Sequence, residues 1–297
     1  MDCFPFKYTY NTYTLLISGQ HSSARKYFIM RIIRYLDENE NTRFGHDHRD
    51  GRATLLEGNI FESFRDTGRR TVVAKLLAPV QPSAILCIGL NYSQHARETN
   101  AELPQYPVLF MKNPAALNHP NDPILLPPSC LDPLQVDFEV ELAVVIGRAA
   151  KNVPAANALD YVFGYTIGND VSARRWQKHG GGGQWVRGKS FDTFCPLGPE
   201  LVTKDLVPNP QNLRLQCFLN GELMQDANTS DMIFSVAELI EYLSDSMTLL
   251  PGTVIMSGTP SGVGFARQPP VFLKPGDKLE LKINSLGTLC NPVAKAG

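Results

Sequence analysis

Asp137-Phe-Glu139-Val-Glu141-Leu-Ala-Val-Val-Ile146 is the stretch on which the reading of this chain turns. Glu139–Ile146 reads as a strand, and side chains on a strand alternate between its two faces, so Glu139 and Glu141 share one face. Two like charges that close are unfavourable unless something positive lies between them. An exposed strand with solvated glutamates would avoid the problem. The neighbours Phe138, Leu142, Ala143, Val144, Val145 and Ile146 are a poor setting for idle acids. A second apolar stretch, Tyr165-Thr-Ile-Gly-Asn-Asp170, turns polar at its end and supplies a third carboxylate. Oxygen-only ligands suit a hard divalent cation: Mg²⁺, Mn²⁺ or Ca²⁺.

Strands continue outward from this centre. Arg31–Tyr35 and Thr71–Leu77 read as short strands, Asn39–Arg52 between them as polar turn material, and Ile85–Cys87 as a short apolar run ending at Gly89. Leu213–Leu219 and Leu223–Gln225 flank Asn220-Gly221, a strong hairpin signal. Leu279, Leu281 and Ile283 alternate with Glu280 and Lys282 after the Pro275-Gly276-Asp277 turn, the pattern of a half-buried strand. One helix stands out: Val236, Leu239, Ile240, Leu243 and Met247 have helical spacing, Ser235 and Glu238 form a capping box, and Pro251-Gly252 stops it. Strands outnumber helices without regular alternation, which predicts an irregular, β-rich α+β fold and not a doubly wound sheet. Residues 1–29 read as an extension with a transit peptide as the alternative, 30–82 as a small N-terminal domain ending near Pro79 and Pro82, and 83–297 as the catalytic domain.

Composition narrows the function. The 297 residues carry 28 Lys+Arg against 29 Asp+Glu, a net charge of −1, and only 19% are charged. A near-neutral chain lacks the basic face of a nucleic-acid platform, and no apolar run reaches the ~18 residues of a membrane helix. Six scattered cysteines without CxxC spacing suggest reduced thiols and an intracellular home. The cytoplasm is the expected compartment, with the mitochondrion as the alternative.

Several motifs compete for a role. In Asn91-Tyr-Ser-Gln-His95-Ala-Arg-Glu98, a short helix would place His95 and Glu98 on one face, where the carboxylate orients the imidazole as a general base. An ordinary surface pair is the bland reading. Gly183-Gln-Trp-Val-Arg-Gly188-Lys189-Ser190 matches the P-loop pattern, yet a tetraglycine precedes it and Phe191–Pro196 is no helix, so it reads as a decoy. Lys189 still matters as a cation near acids. The Ser257–Gly264 glycines suggest a loop whose backbone donors approach a ligand anion. His46-Asp47-His48 mimics a metal pair but sits in an Arg-rich, polar turn.

Taken together, six motifs resemble the fumarylacetoacetate hydrolase family, in its short, domain-containing branch, from about Met30 to the C-terminus. They are Gly89-Leu-Asn-Tyr-Ser-Gln-His95-Ala-Arg-Glu98, Asp137-Phe-Glu139-Val-Glu141-Leu-Ala, Gly168-Asn-Asp170-Val-Ser-Ala-Arg174-Arg-Trp-Gln177, Gly188-Lys189-Ser-Phe-Asp, Pro196-Leu-Gly-Pro199 and Gly258-Thr259-Pro-Ser-Gly-Val-Gly264. The resemblance implies a mixed β-sheet roll, a homodimer, and a small oxo-acid as substrate. It implies Glu139, Glu141 and Asp170 as metal ligands, normally for Mg²⁺ or Mn²⁺, His95, Glu98 and Lys189 as catalytic residues, and Arg174, Gln177 and Thr259 as residues that hold the substrate or the site. The activities implied are C–C hydrolysis or decarboxylation of acylpyruvate or oxaloacetate type, with oxaloacetate keto–enol tautomerisation, or a biosynthetic reaction on a bulkier β-dicarbonyl, as alternatives. Two positions depart from relatives: Ile88 stands where full-length fumarylacetoacetate hydrolases carry a further metal-binding Asp, and Leu90 where acylpyruvases often carry Arg. Substrate shape is expected to lie in the loops Thr99–Pro107 and Gly180–Trp185.

Overall fold

Val140–Ile146 is the middle strand of the molecule, and every residue in it is buried. The computed structural model describes residues 29–297; the proposed extension therefore lies outside the described residues, apart from Ile29. Val140–Ile146 pairs antiparallel with Val162–Asn169 on one side and with Val254–Met256 on the other. Val140, Leu142, Val144 and Ile146 point into the larger hydrophobic core, while Ala143 and Val145 point into the smaller one. With both faces covered, this strand reads as a continuous apolar run and not as an alternating one.

The sheet around it has 12 strands, ten of them in one path. From one edge the path runs through Phe64–Val72, Arg52–Gly58, Thr42–Arg49 and Arg31–Leu36. It then crosses Cys195–Thr203, Val162–Asn169, Val140–Ile146 and Val254–Met256, and ends with Ile85–Gly89 and Val108–Lys112. A separate five-stranded sheet holds Glu222–Asn228, Arg214–Leu219, Lys278–Ile283, Gly287–Lys295 and Ile124–Leu126. Its Leu215, Cys217, Leu279, Leu281 and Ile283 join the larger core with Leu142 and Val144, so the two sheets face each other. The result is the β-rich α+β roll expected.

The predicted hairpin forms: Asn220 and Gly221 both have positive φ, as a tight primed turn requires. The helix spans Val236–Ser244 with both halves of its capping box present. It stops before Met247, which is outside it and 39% exposed. Asn39–Arg52 is not turn material. Thr42–Arg49 is a strand paired on both sides, and its polar side chains face solvent, which hid it from a hydrophobicity reading. The Asp50-Gly51 turn that ends it has positive φ at both positions. Thr71–Leu77 divides into two strands, Phe64–Val72 and Lys75–Leu77. Cys87, Cys130, Cys195 and Cys217 are buried free thiols. No helix among the described residues is long and apolar enough to cross a membrane.

Candidate active site

The site lies where the ends of two neighbouring strands meet. Glu141 is the second residue of the central strand, and Glu139 directly precedes it. Asp170 follows the neighbouring Val162–Asn169 strand, and its backbone N–H donates to the Glu139 carbonyl at 3.0 Å. The antiparallel register Val140↔Asn169 therefore brings all three acids to one spot. One carboxylate oxygen from each lies within 4.8 Å of the others, and all three residues are buried.

Lys189 ends a one-turn helix, Val186–Lys189, and reaches into this cluster. Its Nζ donates to Glu139 Oε2 at 2.8 Å and to Asp170 Oδ2 at 2.6 Å. Gly188-Lys189-Ser190 thus closes a turn of helix and does not open one, as the decoy reading of the P-loop pattern requires. Lys112, which the sequence reading passed over, is fully buried and donates to Asp170 Oδ1 at 2.5 Å and to the Val171 carbonyl at 3.1 Å. Arg174 donates through Nε and Nη2 to Asp137 Oδ2, at 2.9 and 2.8 Å, and its Nη1 lies 2.7 Å from Glu139 Oε1. Gln177 Oε1 accepts from the same Nη1 at 3.0 Å.

Charge balance decides what this cluster lacks. Four buried carboxylates, Asp137, Glu139, Glu141 and Asp170, face three buried cations, Lys112, Arg174 and Lys189. Burial raises the Glu139 pKa, but Lys189 and Arg174 outweigh it and hold the group at about 2. Glu141 is the residue left short. Burial, with Asp170 and Glu139 nearby, pushes its carboxyl well above the ordinary range, and its Oε2 accepts a backbone N–H from Gly258 at 2.9 Å. Burial lowers the Lys189 pKa, and Asp170 and Glu139 more than restore it. An all-oxygen donor set with an uncompensated negative charge fits a hard divalent cation.

The dyad lies alongside. Ser93–Glu98 is the short helix the spacing suggested, with His95 8% exposed. His95 Nδ1 is 2.7 Å from Glu98 Oε1. A carboxylate accepts only, so Nδ1 carries the proton and Nε2 keeps its lone pair. His95 lies close enough to Glu139 for a charge on its ring to act on that carboxylate. Asn91, fully buried, fixes the base of this helix: its Nδ2 donates to the carbonyls of Phe234 and Ser257, and its Oδ1 accepts from Phe234 N.

The Ser257–Gly264 loop behaves differently from expectation. Its backbone donors address the protein's own carboxylates and not a ligand anion. Gly258 N donates to Glu141, Gly262 N to Glu98 Oε2 at 2.9 Å, and Gly264 N to Asp137 Oδ1 at 2.8 Å. The loop supplies one donor to each of three acids, of which Glu141 and Asp137 are buried and Glu98 is exposed. The approach is close enough that a Cβ at Gly264 would stand 1.9 Å from the Val271 carbonyl oxygen. The Thr259 hydroxyl is likewise engaged by protein: it donates to the Val140 carbonyl at 3.0 Å and accepts from Gln225 Nε2 at 2.8 Å. Thr259 holds the loop on the central strand.

Other candidates fall away. His46 Nε2 is 2.9 Å from Asp66 Oδ2 on an exposed strand, and the acidic triad is the metal-compatible group found among the described residues. Trp185 closes the glycine-rich loop by packing edge-to-face on Phe110, 5.3 Å between ring centres, and against Gly89, where a Cβ would meet its ring at 2.2 Å.

A buried, all-oxygen cluster beside a histidine–carboxylate pair, at the heart of a β-roll, is the arrangement of an acid–base enzyme that can take a hard cation. Comparison with known proteins gives the family. The model of the fumarylacetoacetate (FAA) hydrolase C-terminal domain matches residues 84–294. The chain is 51% identical over 218 residues to the mitochondrial oxaloacetate tautomerase FAHD2B of Bos taurus, covering 73% of this chain and 68% of that one. It is 45% identical over 243 residues to the mitochondrial oxaloacetate tautomerase FAHD2A of Homo sapiens, covering 78% and 76%. Among solved structures, a 2-hydroxyhepta-2,4-diene-1,7-dioate isomerase from Mycobacterium marinum matches with a TM-score of 0.77 and 40% identity, over 90% of this chain and 99% of that one. The chain belongs to the fumarylacetoacetate hydrolase family.

Proposed function

We propose that this enzyme interconverts the keto and enol forms of a small 2-oxo acid, with oxaloacetate as the substrate. The observation that carries the reading is the buried Glu139, Glu141 and Asp170 triad, bridged by Lys189 and flanked by His95. The names of the relatives favour tautomerisation among the activities the family resemblance implied.

Glu139, Glu141 and Asp170 would hold the cation, with Mg²⁺ the ion of choice for an oxygen-only set and Mn²⁺ or Ca²⁺ as substitutes. Such an ion supplies a Lewis acid for the keto and carboxylate oxygens of the substrate. The protein moves the proton. His95 Nε2 takes it from C3 of the oxo-acid, and Glu98, bound at Nδ1, stabilises the imidazolium that results. The same nitrogen then returns the proton to the 2-oxygen, which completes the enol. The Lys189 ammonium, held in place by Glu139 and Asp170, offsets the negative charge on that oxygen between the two transfers. His95, Glu139, Arg174 and Gln177 are each under 10% exposed, so bulk water competes little for the proton. A homodimer in the mitochondrion completes the proposal; the names of the relatives support that compartment.

The test is direct. With Mg²⁺ and oxaloacetate, the enol absorbance should relax faster than in buffer, with no pyruvate or CO₂ released. Release of either product would show C–C hydrolysis or decarboxylation instead. A Glu139→Ala variant that relaxes the enol at the wild-type rate would overturn the triad as the working site.

A further inference from the structure

We propose that Lys178 binds the distal carboxylate of the substrate and makes the site selective for 2-oxo dicarboxylates over 2-oxo monocarboxylates. This rests on the oxo-acid reading above and adds to it a residue that no family motif singled out. The buried cations of the site are already engaged. Lys189 serves Glu139 and Asp170, and Lys112 serves Asp170. Arg174 commits Nε, Nη1 and Nη2 to Asp137, Glu139 and Gln177. A second carboxylate entering the site therefore needs another positive group near the opening.

The opening is marked by the site residues that keep a little exposure: Gln177 and His95 at 8%, Arg174 at 6% and Glu139 at 5%. Lys178 directly follows Gln177 on the five-residue turn Trp176–Gly180. Its side chain is exposed, and it makes no ion pair among the described residues. Its Nζ rests 4.3 Å from the centre of the Phe265 ring, and the Arg174 guanidinium rests 4.4 Å from the same centre. The two cations are thus within about 9 Å of each other. Phe265 is tied to the site in turn, its backbone N–H donating to Asp137 Oδ2 at 3.0 Å. Burial and then Arg174 lower the Lys178 pKa, with Asp137 opposing, which agrees with an ammonium close to the cluster. Arg187, also against this turn, is occupied by stacking on Trp176 and Phe191, and His179 and Arg175 are the turn's remaining basic residues. An ammonium resting on a ring, on a four-carbon stem, can leave it for a carboxylate at small cost.

The experiment compares wild type, Lys178→Met and, as a surface-charge control, Arg175→Ala. Each is assayed for tautomerisation of oxaloacetate and of its 4-methyl ester, which lacks the distal charge. Lys178→Met should raise KM for oxaloacetate about tenfold to a hundredfold, the worth of one charge-assisted hydrogen bond. Its kinetics on the ester should match wild type, and Arg175→Ala should match wild type on both. Equal KM values for oxaloacetate in wild type and Lys178→Met overturn the proposal, as does an equal loss on acid and ester. A binding arm separates this result from the activity reading. In the presence of Mg²⁺, calorimetry with 3,3-difluorooxaloacetate, which cannot enolise, should show weaker binding to Lys178→Met, and 2-oxobutanoate unchanged binding. A wild type inert toward oxaloacetate would sink the tautomerase reading, while this arm would still decide the role of Lys178.

Discussion

Glu139 and Glu141 are two residues apart and sit in opposite electrostatic settings. Glu139 is bracketed by Arg174 and Lys189, whereas Glu141 has no cationic side chain within ion-pair distance among the described residues. In the metal-free protein this ionisable group costs stability, because burial and two acidic neighbours disfavour its charged form. Glu141→Gln removes the ionisable group and keeps the shape. Its melting temperature in EDTA should rise by about 2–4 °C, as expected for roughly 1 kcal/mol in a domain of this size. The further rise that Mg²⁺ gives wild type should shrink in the variant. A calorimetric scan reads both, and a lower melting temperature for metal-free Glu141→Gln would contradict the account. At this scale much of the site was legible. Acids in apolar text and a lysine beside glycines are conflicts of residue type and setting that a sequence displays. Asp137 was legible only as part of a motif, because its importance lies in partners at positions 174, 264 and 265. Asn91 was likewise visible only inside a motif, and Lys112 gave no signal, since nothing near it in sequence explains a buried cation.

Among the elements, the Ser257–Gly264 loop does the most for the site and was read least well. Its glycines were visible, and so was the inference that its backbone donors meet negative charge. That the charge would be the chain's own Glu141, Glu98 and Asp137 was not, because those residues come from two segments far from the loop in sequence. Gly264→Ala tests the loop as a unit. The added methyl would stand 1.9 Å from the Val271 carbonyl oxygen and 2.6 Å from Asp137 Oδ1, so the backbone must move and the bond to Asp137 must lengthen. A loss of about 2–4 kcal/mol in urea unfolding is expected, the scale of overpacking combined with a weakened buried network. Wild-type stability for Gly264→Ala would show that the loop yields freely. The Val236–Ser244 helix and the Asn220-Gly221 hairpin were legible because their signals are local: a capping box, a 3.6-residue period, two residues that accept positive φ. Thr42–Arg49 was not, because an exposed strand in a hairpin needs no apolar alternation.

Across the whole molecule, the division at residue 82 proposes a separable N-terminal part. The large sheet runs through that position: Arg31–Leu36 pairs with Cys195–Thr203, and Ile32, Leu56 and Ile60 share a core with Leu201 and Val254. A fragment of residues 83–297 would expose that core and a bare strand edge. It should aggregate on expression, as judged by size-exclusion chromatography. A monodisperse fragment with a cooperative melt would show that the second part folds unaided. Strand order across the large sheet was the least legible feature, since neighbours in the sheet are far apart in the chain. That separation has a consequence for how the protein is made. Glu141 leaves the ribosome 117 residues ahead of Gly258, its backbone donor, and Ala143 well ahead of Met256, its strand partner. The middle of the sheet therefore cannot close during most of translation. Until the final segment emerges, Leu142–Ile146 is an apolar stretch with one flank unpaired, and it calls for a chaperone or a slow, late folding step.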